Sequence, residues 1–302
     1  MRAIEPQSYV AYGLRIRSEI VLPELTISTV VGGADVDFRF ASVTGPLPGP
    51  DCARLTEFDV DGAYFAWPWI GRFRIAASGV VTIDPLTEDL QAIRFALLGP
   101  VLAAILQIRG LALLHGSAIA HGGKAILMLG RKGAGKSTLA AAFVANGGEI
   151  LNDDVLPIRL VGEAAMIIAG FPAVKLTTKA RDLLFRPGDE RDCKIAVGDE
   201  KHFVSLPAPT VKEFDVAAVV IIDPERPVKP IPVPSFDALQ EVLQHGYSLK
   251  FGERALRFGQ DKALFAVCAH LAQQRRVIRT GRPNDMARIR PFADSLLSAC
   301  LT

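Results

Sequence analysis

The residues best suited to chemistry lie in a glycine-rich loop between an apolar run and a helical pattern. Residues Gly130 to Ser137 read G-x-x-x-x-G-K-S and follow the apolar run Ala125–Leu129. Such a loop lets backbone N–H groups curl round a polyphosphate, while the lysine binds the β- and γ-phosphates and the serine binds Mg²⁺. The following helix directs its positive end at the anion. We therefore expect ATP and Mg²⁺ as cofactors, with the nucleotide bound by Gly130, Arg131, Lys132, Gly133, Ala134, Gly135, Lys136, Ser137 and Thr138.

Two carboxylates lie a short distance along the chain from this loop. Asp153 and Asp154 come 17 and 18 positions after Lys136 and follow the apolar pair Ile150-Leu151. We expect them at the carboxyl end of a short strand, where ligands of open α/β sheets bind. Neighbouring strand residues point to opposite sides, so one carboxylate can bind Mg²⁺ with Ser137 while the other acts as general base on a hydroxyl. This division favours phosphoryl transfer to a hydroxyl over simple ATP hydrolysis.

A carboxylate further along the chain leaves open an alternative position for the metal-binding residue. Asp223 follows the β-branched run 214–222, which is apolar from Val216 onwards; this is the position that the metal-binding aspartate takes in P-loop ATPases. A P-loop ATPase or nucleotide-sensing regulator, with Asp223 on the metal, is therefore the alternative to a kinase. A strand-ending turn before Pro224 is the simpler interpretation of Asp223. A peptide-binding scaffold with a vestigial nucleotide site is the non-enzymatic alternative.

Other polar side chains near these motifs are additional candidates. His115 precedes Gly116 one strand before the loop, and we count it among the catalytic residues that line the site. Lys175 and Lys201 are candidate contacts to phosphate or to the acceptor. The remaining histidines lack metal-ligand spacing and are interpreted as surface or packing residues: His121, His202, His245 and His270. Six arginines between positions 275 and 290 form either a solvated helix end or a docking surface for an acidic peptide or for a neighbouring subunit's nucleotide, which leaves a homo-oligomer open.

The elements that must position these residues follow from hydrophobic periodicity. Residues 9–85 contain short alternating segments separated by turns, which predicts a β-rich N-terminal module over residues 1–87. From about residue 88 the apolar period becomes helical, and helical patterns return at 236–246, 261–274 and 284–301. We therefore predict an α/β (α+β) protein whose second domain, residues 88–302, ends in helices; the glycine-rich loop and the aspartate pair within it favour a P-loop kinase domain.

Composition narrows the class of protein. The 302 residues carry a net charge of +2 and are 50% hydrophobic, so a sizeable core is expected and there is no electrostatic case for nucleic acid. Four widely spaced cysteines without C-x-x-C argue against a disulfide framework or a structural zinc site. The N-terminus lacks a signal-peptide pattern, and the apolar stretch 95–108 is too short to span a bilayer. We expect a cytoplasmic, globular protein with neither nucleic acid nor membrane as a partner.

The motifs together resemble those of a known family. The segment His115-Gly-Ser-Ala-Ile, the loop Gly130–Thr138 and the segment Asn152-Asp-Asp-Val155 lie within 41 residues. They resemble the catalytic core of the HPr kinase/phosphorylase family, whose fold is similar to that of phosphoenolpyruvate carboxykinase. The segment Ser18-Glu-Ile-Val-Leu-Pro-Glu-Leu25 and Leu97-Leu-Gly-Pro resemble HPr-kinase-like proteins found with peptide-modification genes, including kinases that phosphorylate a serine of lasso-peptide precursors.

The resemblance implies a role for each matching residue. Lys136 would bind phosphates, Ser137 would bind Mg²⁺, and His115 would line the site. Asp153 and Asp154 would divide metal binding and general-base work on a serine hydroxyl; Asp153 is the metal candidate, although the sequence leaves the two roles interchangeable. Residues 170–175 depart from the Glu-x-Arg-Gly-x-Gly motif of the bifunctional enzymes, so neither phosphorolysis nor HPr as substrate is implied. The expected function is a serine kinase acting on a peptide or small protein, such as a lasso-peptide precursor.

Overall fold

The computed structural model describes residues 5–29, 32–49, 52–184, 191–194, 201–251, 261–274 and 276–301. The chain is a mixed α/β protein with two large sheets and helices, as predicted. It divides into two compact units, Met1–Leu111 with Ser248–Asp261 and Ala112–Tyr247 with Lys262–Thr302. The domain boundary predicted at residue 87 falls inside the first unit, because this unit also contains the helices between residues 90 and 108.

The first unit is built on one large sheet. Its strands are β1 (Gln7–Ala11), β2 (Leu14–Ser18), β3 (Thr26–Ile27), β4 (Val36–Phe40), β5 (Leu55–Asp59), β6 (Gly62–Trp67), β7 (Gly71–Ala76) and β8 (Val80–Pro85). Their order in the sheet is β3-β1-β2-β4-β8-β7-β6-β5. In β7 the side chains of Phe73 and Ile75 are buried and those of Arg72 and Arg74 are partly exposed, the period of two expected of a half-buried strand.

A helical run follows this sheet in the chain. It consists of α1 (Leu90–Ala96), a π-helical turn (Leu97–Val101) and α2 (Leu102–Ile108). The side chain of Asp89 accepts from the backbone N–H of Gln91 at 2.9 Å and so caps α1. Pro100 lies within the π turn, which accommodates the missing N–H of proline. The whole run spans 19 residues and is long and apolar enough to cross a membrane, but 67% of its most apolar window is buried, which is typical of a helix packed in a core.

The described residues of the second unit form ten strands and most of the helices. The strands are β9 (Ala112–His121), β10 (Lys124–Leu129), β11 (Glu149–Val161), β12 (Ala164–Ile168), β13 (Ala173–Thr177), β14 (Arg191–Lys194), β15 (Lys201–Ser205), β16 (Glu213–Ile222), β17 (Ile231–Pro232) and β18 (Val277–Thr280). The helices are α3 (Lys136–Ala145), α4 (Thr178–Leu184), α5 (Ser235–Leu243), α6 (Asp261–Gln273) and α7 (Ile289–Leu301), with a 3₁₀ turn at Met286–Arg288. A further 3₁₀ turn, Tyr247–Phe251, belongs to the first unit except for Tyr247.

A seven-stranded sheet of order β10-β9-β11-β12-β16-β18-β17 forms the centre of this unit, and β10 also pairs with β16. Because β10, β16 and β18 run parallel, their carboxyl ends meet at one edge. Helices α5 and α6 cover one face of the sheet, and α3 and α7 cover the other. The two-sided burial explains the unbroken apolar run of β10, in which Leu127 and Leu129 face the first core and Ile126 and Met128 face the second. A smaller sheet has the order β13-β15-β14.

One strand prediction near the aspartate pair was wrong. Asp153 and Asp154 do not end a short strand but lie near the middle of β11, which has 13 residues. The register of β11 on β9 shifts between Ile150 and Asn152, as in a β-bulge, and Asp154 adopts a positive φ of 91°. A bulge re-aims side chains without ending the strand, which is why a local reading of the sequence placed the strand end too early.

Candidate active site

The loop between β10 and α3 has a geometry that allows an anion to approach the backbone closely. Gly135 adopts a φ of 96° at the N-cap of α3, a left-handed conformation that favours glycine. The first amide groups of a helix lack intrahelical partners and lie at its positive end. Lys136, in this first turn, donates from Nζ to the carbonyl oxygens of Gly130 at 2.8 Å and Arg131 at 3.2 Å. Its ammonium group therefore lies against the loop.

Strand register brings the carboxylates to this loop. Met128 of β10 pairs with Ser117 of β9, and Ser117 pairs with Asp153 of β11. The three residues form one row across neighbouring strands, two positions before the loop begins at Gly130. Gly116 permits the close packing at this level, because a Cβ there would lie 2.4 Å from the carbonyl oxygen of Met128. A larger residue would force the backbone apart.

Asp153 is the acceptor for three donors. Ser137 Oγ donates to Asp153 Oδ1 at 2.9 Å, and Ser117 Oγ donates to the same oxygen at 2.6 Å. The backbone N–H of Lys175 donates to Oδ2 at 2.9 Å. Three donors fix the orientation of the carboxylate. One carboxylate oxygen and one hydroxyl, from residues 16 positions apart, therefore lie side by side at the start of α3.

Asp154 has a different set of neighbours. His115 Nδ1 lies 2.9 Å from Asp154 Oδ1 and 3.0 Å from the backbone oxygen of Asp154. Lys175 Nζ lies 3.8 Å from Oδ2. A proton on Nδ1 is the form of the imidazole that both contacts favour, because a carboxylate and a carbonyl oxygen only accept. The two aspartates thus belong to separate groups of side chains, although they are adjacent in sequence.

Asn152 holds the segment that carries both aspartates. Its side chain is buried, donates to the carbonyl oxygen of Ile168 at 2.9 Å and accepts from the N–H of Gly170 at 2.6 Å. Both bonds tie β11 to the end of β12 and the loop that follows it. The asparagine therefore positions the aspartates rather than taking part in chemistry, because its polar atoms are already engaged with backbone groups.

Asp223, the alternative metal candidate, is engaged in a turn at the end of β16. Its Oδ1 accepts from the backbone N–H of Glu225 at 3.2 Å, and its Oδ2 lies 3.5 Å from Arg226 Nε. Its backbone N–H donates to the carbonyl oxygen of Thr280 at 3.0 Å. This is the local pattern of an Asx turn, the simpler of the two interpretations of this residue.

Sequence reasoning missed several residues of the site. The sequence interpreted His245 as a surface or packing residue; in the structure burial, followed by the charges of Lys136 and His115, lowers the pKa of His245 from 6.5 to about 4. The carbonyl oxygen of His245 accepts from the N–H of His115 at 2.7 Å, and the ring of Tyr247 lies 6.3 Å from the ring of His115. Only Ser117 carried a usable signal, since it stands two positions after His115 on the same strand.

The other predicted site residues occupy varied positions. Lys175 lies in β13 beside both aspartates. Lys201 lies in β15 opposite Thr177, but its side chain falls outside the described part of the structure. Within the loop, Ala134 is buried, Thr138 is partly buried, and Arg131, Lys132 and Gly133 are exposed. Within the described ranges, no group of three or more His, Cys, Asp and Glu side chains could hold a metal ion by itself.

Comparison with known proteins gives a distant structural likeness. No protein-family model matches the sequence, and no curated protein matches it. Among solved structures, the chain is similar to the Hpr(Ser) kinase/phosphatase from Coxiella burnetii, at 13% sequence identity, with 40% of this chain and 72% of that chain covered and a TM-score of 0.25. A likeness at this TM-score carries no argument about function, so the resemblance drawn from the motifs stays a prediction.

Proposed function

We propose that the protein is an ATP- and Mg²⁺-dependent kinase that transfers the γ-phosphate to a serine hydroxyl of a peptide or small protein. One observation carries the proposal: two adjacent carboxylates beside a glycine-rich loop contact different side chains. Asp153 lies against Ser137 at the start of α3, whereas Asp154 lies against His115. A kinase needs one carboxylate for the metal and another for the acceptor.

Ser137 and Asp153 are suited to Mg²⁺. Their Oγ and Oδ1 atoms, 2.9 Å apart, are hard oxygen donors of the kind that Mg²⁺ prefers. In nucleotide sites Mg²⁺ takes one or two carboxylates, substrate phosphates and several waters, so a cluster of three acidic or histidine side chains is not required. When bound, Mg²⁺ would neutralise phosphate charge and orient the β- and γ-phosphates.

The chain's own residues account for the remaining chemistry. Lys136 and the amide groups at the start of α3 bind the phosphates. The acceptor hydroxyl oxygen forms a bond to the γ-phosphorus, its proton passes to the carboxylate of Asp154, and the bond from the γ-phosphorus to the β–γ bridging oxygen breaks to release ADP. His115 holds Asp154 in place through Nδ1, and Lys175, whose Nζ lies 3.8 Å from the other oxygen of Asp154, is the candidate contact for the incoming acceptor.

The setting of the reaction is part of the proposal. We propose a cytoplasmic enzyme whose partner is a serine-containing peptide, with neither nucleic acid nor a membrane involved. The free thiols of Cys52, Cys268 and Cys300 are compatible with a reducing compartment. The ATPase alternative has less support, because the loop hydroxyl of Ser137 contacts Asp153, whereas Asp223 contacts Glu225 and Arg226.

Label transfer from γ-labelled ATP tests the proposal. The wild-type chain, Mg²⁺ and a panel of synthetic peptides, each with one serine, are incubated together, and matched peptides with alanine at that position serve as controls. We expect label only on serine peptides. Asp154→Asn should lower the rate of transfer about 10²- to 10⁴-fold, the usual contribution of a general base, with little change in the KM for ATP.

Three outcomes would contradict the proposal. Wild-type chain that binds no Mg·ATP has no nucleotide site. Transfer that survives the double change Asp153→Asn plus Asp154→Asn assigns the chemistry to other groups. ATP turnover that no peptide stimulates, and that Asp223→Asn abolishes while Asp154→Asn does not, identifies the ATPase alternative.

A further inference from the structure

The arginine cluster between positions 275 and 290 is divided by the structure. Three of its members have partners: Arg276 with Asp215, Arg279 with Glu241, and Arg290 with the carbonyl oxygen of Ala145. Arg288 is exposed, and Arg275 lies outside the described residues. Arg282 differs from the paired members, because its hydrogen bond within the described residues is a long one, 3.4 Å from Nη1 to the carbonyl oxygen of Pro283.

Arg282 lies at the edge of the sheet that carries the glycine-rich loop. It follows the carboxyl end of β18 by two residues, and β18, β16 and β10 are parallel. A Cβ added to Gly135 would lie 2.7 Å from both Cδ and Nε of Arg282 and 3.2 Å from its Cζ. The arginine side chain therefore lies directly against the loop residue that precedes Lys136.

The backbone around Arg282 is held in place. The N–H of Gly281 donates to the carbonyl oxygen of Pro227 at 2.8 Å, and a Cβ at Gly281 would lie 2.0 Å from the carbonyl oxygen of Arg226. The preceding carbonyl, that of Thr280, accepts from the N–H of Asp223 at 3.0 Å. Fixed donors are the kind that stabilise developing charge well, because they need no reorganisation during the reaction.

The electrostatics of this position favour an anion. The Nε of Arg282 is buried and meets no acceptor within the described residues. A guanidinium at the positive end of α3, in the same loop as Lys136, raises the energy of the protein unless negative charge lies between these cations. A polyphosphate on the loop would supply that charge and an acceptor for Nε.

We propose that Arg282 is a catalytic arginine that contacts the nucleotide phosphates in cis and stabilises the charge that develops as the γ-phosphoryl group moves to the acceptor. The inference rests on the proposed phosphotransfer and adds a residue to it. During transfer, negative charge grows on the β–γ bridging oxygen as its bond to phosphorus breaks, and a guanidinium beside Gly135 donates to the phosphate oxygens without itself gaining or losing a proton.

Variants of Arg282 test the inference. Arg282→Gln keeps most of the stem but removes the charge, Arg282→Lys keeps a charge without the planar fork, and Arg288→Ala is the matched control on an exposed arginine of the same cluster. For each we would measure the single-turnover rate of label transfer and the Kd values of Mg·ADP and Mg·ADP–aluminium fluoride. Circular dichroism melting checks that each variant is folded.

The expected pattern separates transition-state contact from packing. Arg282→Gln should lower transfer about 10²- to 10³-fold and weaken aluminium fluoride binding by a similar factor, with the Kd of Mg·ADP changed less than about threefold. Arg282→Lys should recover only part of the loss, and Arg288→Ala should match wild type. Transfer by Arg282→Gln within about threefold of wild type, or an equal loss for Mg·ADP and the aluminium fluoride complex, would overturn the inference.

Binding of the two nucleotide complexes also distinguishes a failure of this inference from a failure of the proposed function. A wild-type chain that binds Mg·ADP but labels no serine peptide would remove the kinase assignment, and the aluminium fluoride comparison would still decide the role of Arg282. A wild-type chain that binds neither complex would refute both.

Discussion

The backbone of Asp154 makes a quantitative test of the site possible. Its φ of 91° is unfavourable for a residue with a Cβ, by about 1–2 kcal/mol for a left-handed conformation. Asp154→Gly and Asp154→Ala remove the same side-chain contacts but differ in the Cβ. The extra unfolded-state entropy of glycine offsets about 0.4–1 kcal/mol of the difference, so Asp154→Gly should be more stable than Asp154→Ala by about 1 kcal/mol.

Urea unfolding followed by far-UV circular dichroism measures this difference. Tryptophan fluorescence is unsuitable, because Trp67 and Trp69 both lie in the first compact unit and Asp154 lies in the second. With a slope of about 2–3 kcal/mol per molar urea, a difference of 1 kcal/mol moves the midpoint by roughly 0.4 M. Both variants should lose label transfer, since each lacks the proposed base.

A matched pair in the same unit provides the control. Asp182 is exposed within helix α4, where glycine is about 1 kcal/mol less favourable than alanine. Asp182→Gly should therefore be less stable than Asp182→Ala, the opposite order. If Asp154→Ala is as stable as Asp154→Gly while the Asp182 pair behaves as expected, the left-handed strain assigned to Asp154 is refuted.

Three further changes probe other parts of the site. In Gly135→Ala the added Cβ would lie 2.7 Å from Arg282, and the alanine backbone would have to keep a φ of 96°. We expect calorimetry to show that this change weakens Mg·ATP binding about tenfold or more. Unchanged affinity would show that the loop tolerates a side chain. Asp153→Asn should raise the Mg²⁺ concentration for half-maximal transfer about tenfold or more, the equivalent of about 1.4 kcal/mol; an unaltered Mg²⁺ requirement would remove Asp153 from the metal site. His245, with a pKa lowered from 6.5 to about 4, stays neutral in the folded chain where the unfolded chain takes up a proton, so stability falls as pH drops from about 6.5 to about 4; screening of its partly exposed ring limits this to about 1–2 kcal/mol. In urea unfolding, the free energy of unfolding should fall less between pH 7.5 and pH 5 in His245→Gln than in the wild-type chain. An equal fall in both proteins would contradict the lowered pKa of His245.

Local patterns in the sequence were enough to predict much of the architecture. The helical patterns at 236–246, 261–274 and 284–301 correspond to α5, α6 and α7, and the strand–loop–helix segment around Lys136 is present as β10 and α3. These features depend on hydrophobic periodicity and on glycine conformation, which are properties of neighbouring residues. The length of β11 could not be read in the same way, because a bulge inside it depends on the register with β9.

Amino-acid types and spacing were enough on their own to predict which residues would bind a polyphosphate and a metal, because loop glycines, Lys136, Ser137 and the aspartate pair lie within one short stretch of chain. Only the tertiary structure decided which neighbouring side chains these residues contact. Strand pairing between β9 and β11 placed Ser117 beside Asp153, and parallel strand ends placed Arg282, 147 positions after Gly135, against the loop. Such contacts depend on sheet order and register, which a single sequence does not encode in its local pattern.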